Sequence, residues 1–185
     1  LYLFLIPAVG MRLWAEERKS GTIELLMTLP VSTTQAVAGK FIAAWIFTGI
    51  ALLLTFPIWI TVNYLGSPDN GVIFAGYVGS FLMAGAFLSI GSFVSALTRN
   101  QVIAFVITAA VCFLFMMSGL EPVQSAFRGW SSAFVVDLVA SLSFLTHFDA
   151  IKQGVFDLRD FVYLISVIGV FLFANVVIVD LKKGS

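Results

Sequence analysis

Few residues of this chain have the chemistry of a catalytic or metal site. Its 185 residues include one His and one Cys. His147 and Cys112 stand about 35 residues apart and cannot build a closed zinc site. His147 could form a pH-sensitive pair with Asp149, but a partly exposed polar residue at a helix end is the simpler interpretation. Cys112 lies in the apolar run VCFLF and is interpreted as a small buried hydrophobic residue.

The segment Gly39-Lys40-Phe41 is the nearest approach to a nucleotide-binding loop. A Walker A loop requires Gly where Thr34 stands, and Ser or Thr where Phe41 stands. Lys40 instead fits a charge that reaches the membrane boundary along its aliphatic side chain. No paired carboxylates lie within the apolar segments, which leaves a proton-coupled mechanism little to work with. We therefore expect no catalytic residue, no metal ion and no cofactor bound by this chain.

Residues 12–30, RLWAEERKSGTIELLMTLP, form the longest charged and amphipathic stretch of the chain. Gly21 predicts a bend, and a positive φ there would make a β-branched residue strained. Thr22 is suited to cap a following helix, Glu24 lies in its first turn where the helix dipole favours an acid, and Pro30 ends it. Such a surface helix either anchors a loop at the membrane or gives a partner protein a place to bind.

The elements that position this stretch are predicted membrane helices. The chain is 60% hydrophobic and 11% charged, with a mean hydropathy of +1.04, whereas soluble domains carry about 25% charged residues. A span needs about 20 mostly apolar residues. One membrane domain over residues 1–185 is expected, with apolar segments at 1–11, 36–63, 72–97, 102–118 and 161–179. The chain begins without Met inside an apolar run, so we expect 1–11 to be the tail of a helix that starts earlier.

Local signals refine these helices. Ser32 and Gln35 have the spacing of a capping box before the first complete span. Pro57 predicts a kink within that span. Asn63 and Asn175 are interpreted as satisfied boundary or packing residues. The segment 72–97 is rich in small residues, which let helices approach closely in lipid. The residues predicted to pack helices are Gly79, Ala84, Gly85, Ser89 and Gly91.

The segment 119–160 is punctuated by polar residues, and its helices are too short to span, so re-entrant or interfacial helices are expected outside the cytoplasm. Placing 12–35 in the cytoplasm puts seven of the ten Lys and Arg residues inside and three outside, as the positive-inside rule favours. The inner set is Arg12, Arg18, Lys19, Lys40, Arg99, Lys182 and Lys183. The outer set is Arg128, Lys152 and Arg159.

Two motifs cover much of the chain. The first is Glu17-Arg18-x-x-Gly21-Thr22-Ile23-Glu24-x-Leu26-x-x-x-Pro30, followed by Gly39-Lys40. The second is Leu142-Ser143-Phe144-x-x-His147-Phe148, then Lys152-x-Gly154-x-x-Asp157-x-Arg159-Asp160-x-x-Tyr163. The first closely resembles the coupling-helix region of ABC-2 type transporter permeases. The second resembles the gliding-motility and nitrous-oxide-maturation branch of that superfamily.

The resemblance implies an all-α, six-helix permease fold of the type V exporter kind, here lacking its N-terminal part. It implies two permease subunits, alike or different, two cytoplasmic ATPase subunits that hold ATP and magnesium, and a bacterial inner-membrane location. The coupling helix would dock in a cleft of the ATPase. The residues expected to dock are Glu17, Arg18, Gly21, Thr22, Glu24, Leu25, Leu26 and Pro30.

Two functions remain open at this point. One is the membrane subunit of an exporter driven by a separate ATPase. The other is a subunit without transport, which transmits force or serves as a scaffold in an envelope or motility machine. A membrane enzyme lacks a catalytic set, and the net charge of zero implies no bulk attraction to nucleic acid. The expected partners are therefore the ATPase, a second permease and lipid; the substrate cannot be read from the sequence.

Overall fold

The computed structural model describes residues 2–22, 30–118, 120, 122–123, 125, 143–152 and 158–182, and over these residues the chain is helical with no strands. Three of its helical segments are long and apolar enough to cross a membrane. The predicted all-α membrane fold is therefore confirmed. The helices are α1 (Tyr2–Gly10), α2 (Arg12–Ser20), α3 (Thr33–Leu53), α4 (Phe56–Leu65), α5 (Asn70–Leu97), α6 (Gln101–Met117), α7 (Phe144–Lys152) and α8 (Leu158–Leu181).

Helices α1 and α2 form an almost continuous rod. Met11 between them has helical dihedral angles, φ −60° and ψ −26°, and its N–H donates to the Pro7 carbonyl over 2.8 Å. Gly21 ends α2 in the left-handed region at φ 75°, at the bend that the sequence predicted. Glycine is suited to this position because it has no Cβ to clash. The charged half of 12–30 is thus a helical extension of the apolar helix α1.

The first complete span is divided into two helices. The predicted capping box at its start is confirmed: Gln35 N–H donates to Ser32 Oγ over 3.2 Å, and Ser32 N–H donates to Gln35 Oε1 over 3.1 Å. The helix ends at Leu53 and restarts at Phe56, with Pro57 in the first turn of α4. Proline is tolerated there because its missing N–H has no partner in that turn. The predicted kink is therefore a full break.

Helix α5 is the centre of the bundle and touches α1, α2, α3, α6, α7 and α8. Its residues from Met83 to Ser92 are all buried, so this stretch is surrounded by protein rather than lipid. Helix α6 has 17 residues and a length of about 25 Å, slightly short of a bilayer core. Helix α7, with nine residues, is too short to span. The rest of 119–160 lies almost wholly outside the described residues, so its predicted topology stays a prediction.

Three glycines of α5 each allow a different neighbouring helix to pack closely against it. A Cβ built on Gly79 would lie 2.9 Å from Ile151 of α7, and one on Gly85 would lie 2.8 Å from the Trp45 indole of α3. One on Gly91 would lie 3.2 Å from the Cα atom of Gly10 in α1. The glycines are spaced by six residues, or about 1.7 turns, so they face directions roughly 120° apart. The other two residues predicted to pack helices, Ala84 and Ser89, are fully buried.

Candidate functional site

The structure describes part of the predicted docking segment. Glu17 and Arg18 lie on α2, while Gly21, Thr22 and Pro30 are exposed. The positions Glu24, Leu25 and Leu26 lie outside the described residues, so the predicted second helix of this segment stays a prediction. The described half shows how the segment is joined to the membrane bundle, and it defines the candidate site.

Ser95 of α5 joins the start of α2 to the centre of the bundle. Its hydroxyl accepts from the N–H groups of Trp14 and Ala15 over 3.0 and 2.9 Å, and donates to the Met11 carbonyl over 2.8 Å. Met11 itself supplies no side-chain cap to α2. The first N–H groups of a helix need such partners, particularly where water is excluded. Helix α5 therefore supplies the N-terminal cap of α2.

Ser92 lies one turn away from Ser95 and joins three helices. Its hydroxyl accepts from Asn175 Nδ2 of α8 over 2.6 Å and from Trp14 Nε1 of α2 over 3.3 Å. Asn175 is fully buried, and its Oδ1 has no partner among the described residues. Asn175 lies at a helix contact, as a packing residue would. We expected all its side-chain atoms to be hydrogen-bonded, but Oδ1 is not bonded within the described part of the chain.

Lys40 of α3 binds α2 from another side. Its ammonium group donates to the Leu13 carbonyl over 2.9 Å and forms an ion pair with Glu17. It also lies 4.6 Å from the centre of the Trp14 ring, within the range of a cation–π contact. Lys40 therefore does more than reach the membrane boundary. Glu17, expected to face a partner protein, uses Oε1 within its own chain, and its buried Oε2 has no partner in the described part.

Arg18 and Lys182 bind the C-terminal carbonyl groups of α5. Arg18 donates to the Ala96 carbonyl over 2.5 Å, and Lys182 donates to the carbonyls of Ala96 and Leu97 over 3.3 and 3.0 Å. Cations are favourable here because the helix dipole is negative at this end. Burial, and then the nearby Arg99, lower the pKa of Arg18. Burial, and then both arginines, lower the pKa of Lys182. Arg18 thus also acts within the chain.

The start of α3 is tied to the end of α8. Thr33 Oγ1 donates to Asp180 Oδ1 over 2.5 Å. Together with the bonds of Ser92, Ser95 and Lys40, this contact links α2, α3, α5 and α8 at one end of the bundle. We call this set of contacts the inner junction. Ser92, Ser95 and Asn175 are fully buried there, so relative movement of these helices would break bonds that water cannot easily replace.

His147 corrects the interpretation made from the sequence. It is buried rather than partly exposed, and its Nδ1 lies 2.5 Å from Asp160 Oδ1 of α8. Its ring also stacks on Tyr163, with centroids 4.1 Å apart. The side chain of Asp149, the partner considered earlier, lies outside the described part. Asp160 and Tyr163 are three residues apart on one helix face, a spacing that could have suggested a common partner.

An apolar groove of about 590 Å³ lies between α1 and the outer half of α3. Its walls include Leu5, Val9 and Phe47, and Arg12 lies at one end. Among the described residues, no group of three His, Cys, Asp or Glu side chains could hold a metal ion. The main feature of the candidate site is the inner junction, whose hydrogen bonds and ion pair hold α2 to the rest of the bundle.

Comparison with known proteins gives one family. The model of the family described as ABC-2 family transporter protein matches residues 3–179, which is nearly the whole chain. Curated proteins and solved structures give no significant match. The family match covers both the described bundle and the segments between its helices.

Proposed function

The chain belongs to the ABC-2 family of transporter proteins and is a multi-pass membrane permease component of an ABC transporter; we propose that it couples ATP hydrolysis by a separate ATPase to export of a substrate. The ATP and magnesium are held by that partner, and this chain binds neither. We further propose that two ATPase subunits and two permeases, alike or different, assemble in a bacterial inner membrane.

The inner junction is the observation that carries this proposal. Coupling needs a stiff connection between the segment that the ATPase pushes and the helices that must move. Helix α2 is bonded to α5 through Ser95 and to α3 through Lys40. Helix α5 touches the helices around it on several sides. Force applied to α2 would therefore move packed helices as rigid bodies, as in known switching transitions.

We divide the predicted docking residues into three groups. Glu17 and Arg18 are directed in part toward the bundle, so we assign them to transmission. Gly21 sets the direction in which the chain leaves α2. The groups proposed to contact the ATPase are then Thr22, Glu24, Leu25, Leu26 and Pro30. Reversing Glu17 is a poor test of docking, because this change also breaks the ion pair with Lys40.

The second motif supports a narrower proposal. Three of its described residues, His147, Asp160 and Tyr163, meet in one contact between α7 and α8. The resemblance carried by this motif is the ground for placing the chain in the gliding-motility or nitrous-oxide-maturation branch. The described bundle is packed around α5, and the groove between α1 and α3 is apolar. A path for cargo would then lie between two permeases, while a subunit that only transmits force would need no path.

The docking proposal is tested with a Leu25→Asp, Leu26→Asp double variant. Charges placed in an apolar docking surface remove its anchors, so we expect at least a tenfold loss of co-purified ATPase and of permease-stimulated ATP hydrolysis. Leu65→Asp is the matched control, because Leu65 is 79% exposed at the opposite end of the bundle. The double variant and the Leu65→Asp control should have the same thermal stability. Undiminished binding and stimulation in the double variant would contradict the docking assignment.

A further inference from the structure

Four cations gather where α2, α5, α6 and α8 meet at the inner end of the bundle. They are Arg18, Lys19, Arg99 and Lys182, called here the cation cluster. Arg18 and Lys182 bind carbonyl groups of α5. Lys19 and Arg99 are exposed and line a pocket of about 370 Å³. Within the described part of the chain, none of the four forms an ion pair with an acidic side chain.

The start of α6 adds to this positive potential. The pocket is also lined by Thr98, Asn100, Gln101 and Val102, the residues that lead into that helix. Asn100 uses its side-chain oxygen to cap Val102 N–H over 2.9 Å, and no acidic residue lies in the first turn. A helix N-terminus favours an anion. Both the side chains and the backbone of this pocket therefore favour a negatively charged group.

An exposed apolar stripe continues from the pocket along α6. Val102 lines the pocket and is 67% exposed. The same face continues with further exposed apolar residues at helical spacing. These are Ile103, Val106, Ile107, Phe113 and Leu114. A charged pocket that opens onto an apolar helix face has the two surfaces that a phospholipid presents, a headgroup and acyl chains.

We propose that this pocket binds the phosphate headgroup of an anionic phospholipid, with the acyl chains lying along the exposed face of α6. Lys19 and Arg99 supply the charge, and the start of α6 orients the phosphate. The lowered pKa values of Arg18 and Lys182, caused first by burial and then by neighbouring cations, agree with a group of cations that repel one another.

Other occupants fit this surface less well. An acidic segment of a partner protein would match the charge but would leave the apolar stripe without a role. A second copy could cover the stripe, but a two-fold axis along the membrane normal would bring a second cation cluster to the same level. Like charges brought close to one another across that axis would repel. An anionic lipid matches the charge and the stripe together, and it does so independently of the proposed transport function.

The test compares the full-length permease in neutral detergent with added phosphatidylglycerol or phosphatidylcholine. Bound lipid is counted by native mass spectrometry, and thermal unfolding is followed in parallel. We expect phosphatidylglycerol to bind and stabilise the wild-type protein. The Lys19→Gln, Arg99→Gln double variant should bind phosphatidylglycerol roughly thirtyfold more weakly, from about a fivefold contribution per basic residue. Its unfolding temperature in neutral detergent should equal or exceed that of the wild type, because cation repulsion is relieved.

Arg12→Gln is the control, since Arg12 is an exposed cation on α2 that does not line this pocket. An equal loss in this variant would show general attraction to charge and overturn the proposal. Glycerol phosphate that stabilises as well as the lipid would make free phosphate the ligand instead. A double variant that loses ATPase but retains phosphatidylglycerol would assign the pocket to a protein partner. Efficient disulfide crosslinking of Val106→Cys permeases, in a Cys112→Ser background, would assign the stripe to a second copy.

Discussion

At the scale of single residues, Ser95 is the most heavily used hydroxyl at the inner junction. It satisfies two N–H groups of α2 and one carbonyl group while remaining fully buried. Without this hydroxyl, the buried N–H groups of Trp14 and Ala15 lose their partner and cannot bond to water instead. Leaving a buried donor unsatisfied is more costly than the net gain from one hydrogen bond. Ser95 should therefore influence both the stability of the bundle and the position of α2.

We expect Ser95→Ala to lower the free energy of unfolding by about 1–3 kcal/mol and to weaken stimulation of the ATPase. The control is Ser89→Ala, since Ser89 is equally buried on α5 and its hydroxyl bonds only its own helix, at Ala86. Thermal unfolding in detergent and ATP hydrolysis by the assembled complex are measured for both. Equal effects of the two substitutions would show that Ser95 has no special role at the inner junction.

Residue contacts could be predicted only where the partners are close in sequence. The capping box joins Ser32 and Gln35, three residues apart, and the sequence alone identified it. Trp14 and Ser95 are 81 residues apart, and no local pattern specifies their contact. The resemblance to a coupling helix implied that Glu17 faces the ATPase. Its partner, Lys40, is a neighbour only because the fold brings the start of α3 against α2.

At the scale of helices, the packing of α5 depends on the absence of side chains at chosen positions. Gly91 and Gly10 bring the backbones of α5 and α1 into direct contact. In lipid, such close approach is a main source of helix association, because hydrophobicity does not drive apolar helices together. The abundance of small residues was visible in the sequence. The sequence did not show which helix packs against each glycine, because that depends on which helices surround α5.

Gly91→Leu should separate α1 from α5 and cost about 3 kcal/mol, because the new side chain meets backbone that cannot move aside. Gly76→Leu is the matched control on the same helix, since a Cβ at Gly76 has no neighbour within 4 Å. Thermal unfolding of both permeases in the same detergent gives the comparison. Similar unfolding temperatures for the two variants would argue against a close contact between α1 and α5.

At the scale of the whole molecule, the charges are separated between the two ends of the bundle. Arg18, Arg99 and Lys182 lie close enough for their charges to interact at one end. The pair of His147 and Asp160 lies beside the start of α8, the opposite end of that helix. The positive-inside rule predicts that the cation cluster lies in the cytoplasm. This orientation is a prediction from the sequence alone, because it depends on loop charges rather than on packing.

This orientation predicts that an impermeant thiol reagent will not label Asn100→Cys from outside intact cells. The Cys112→Ser background removes the native thiol. Ser67→Cys is the positive control, because it lies in the turn between α4 and α5 at the other end. Permeabilised cells should show labelling at both positions. Labelling of the Asn100→Cys permease from outside, as strong as that of Ser67→Cys, would invert the topology.

The break between α3 and α4 has a consequence for how the protein fits the thickness of its bilayer. A straight helix over the 33 residues of Thr33–Leu65 would be about 50 Å long, against a hydrocarbon core of about 30 Å. The 21 residues of α3 account for about 31 Å. Beyond the break, Trp59 stacks on Tyr77 and donates to Asn70, as amphipathic rings do at headgroup level. Helix α3 alone is thus long enough for the acyl layer, and we expect α4 to take up the excess length among the lipid headgroups.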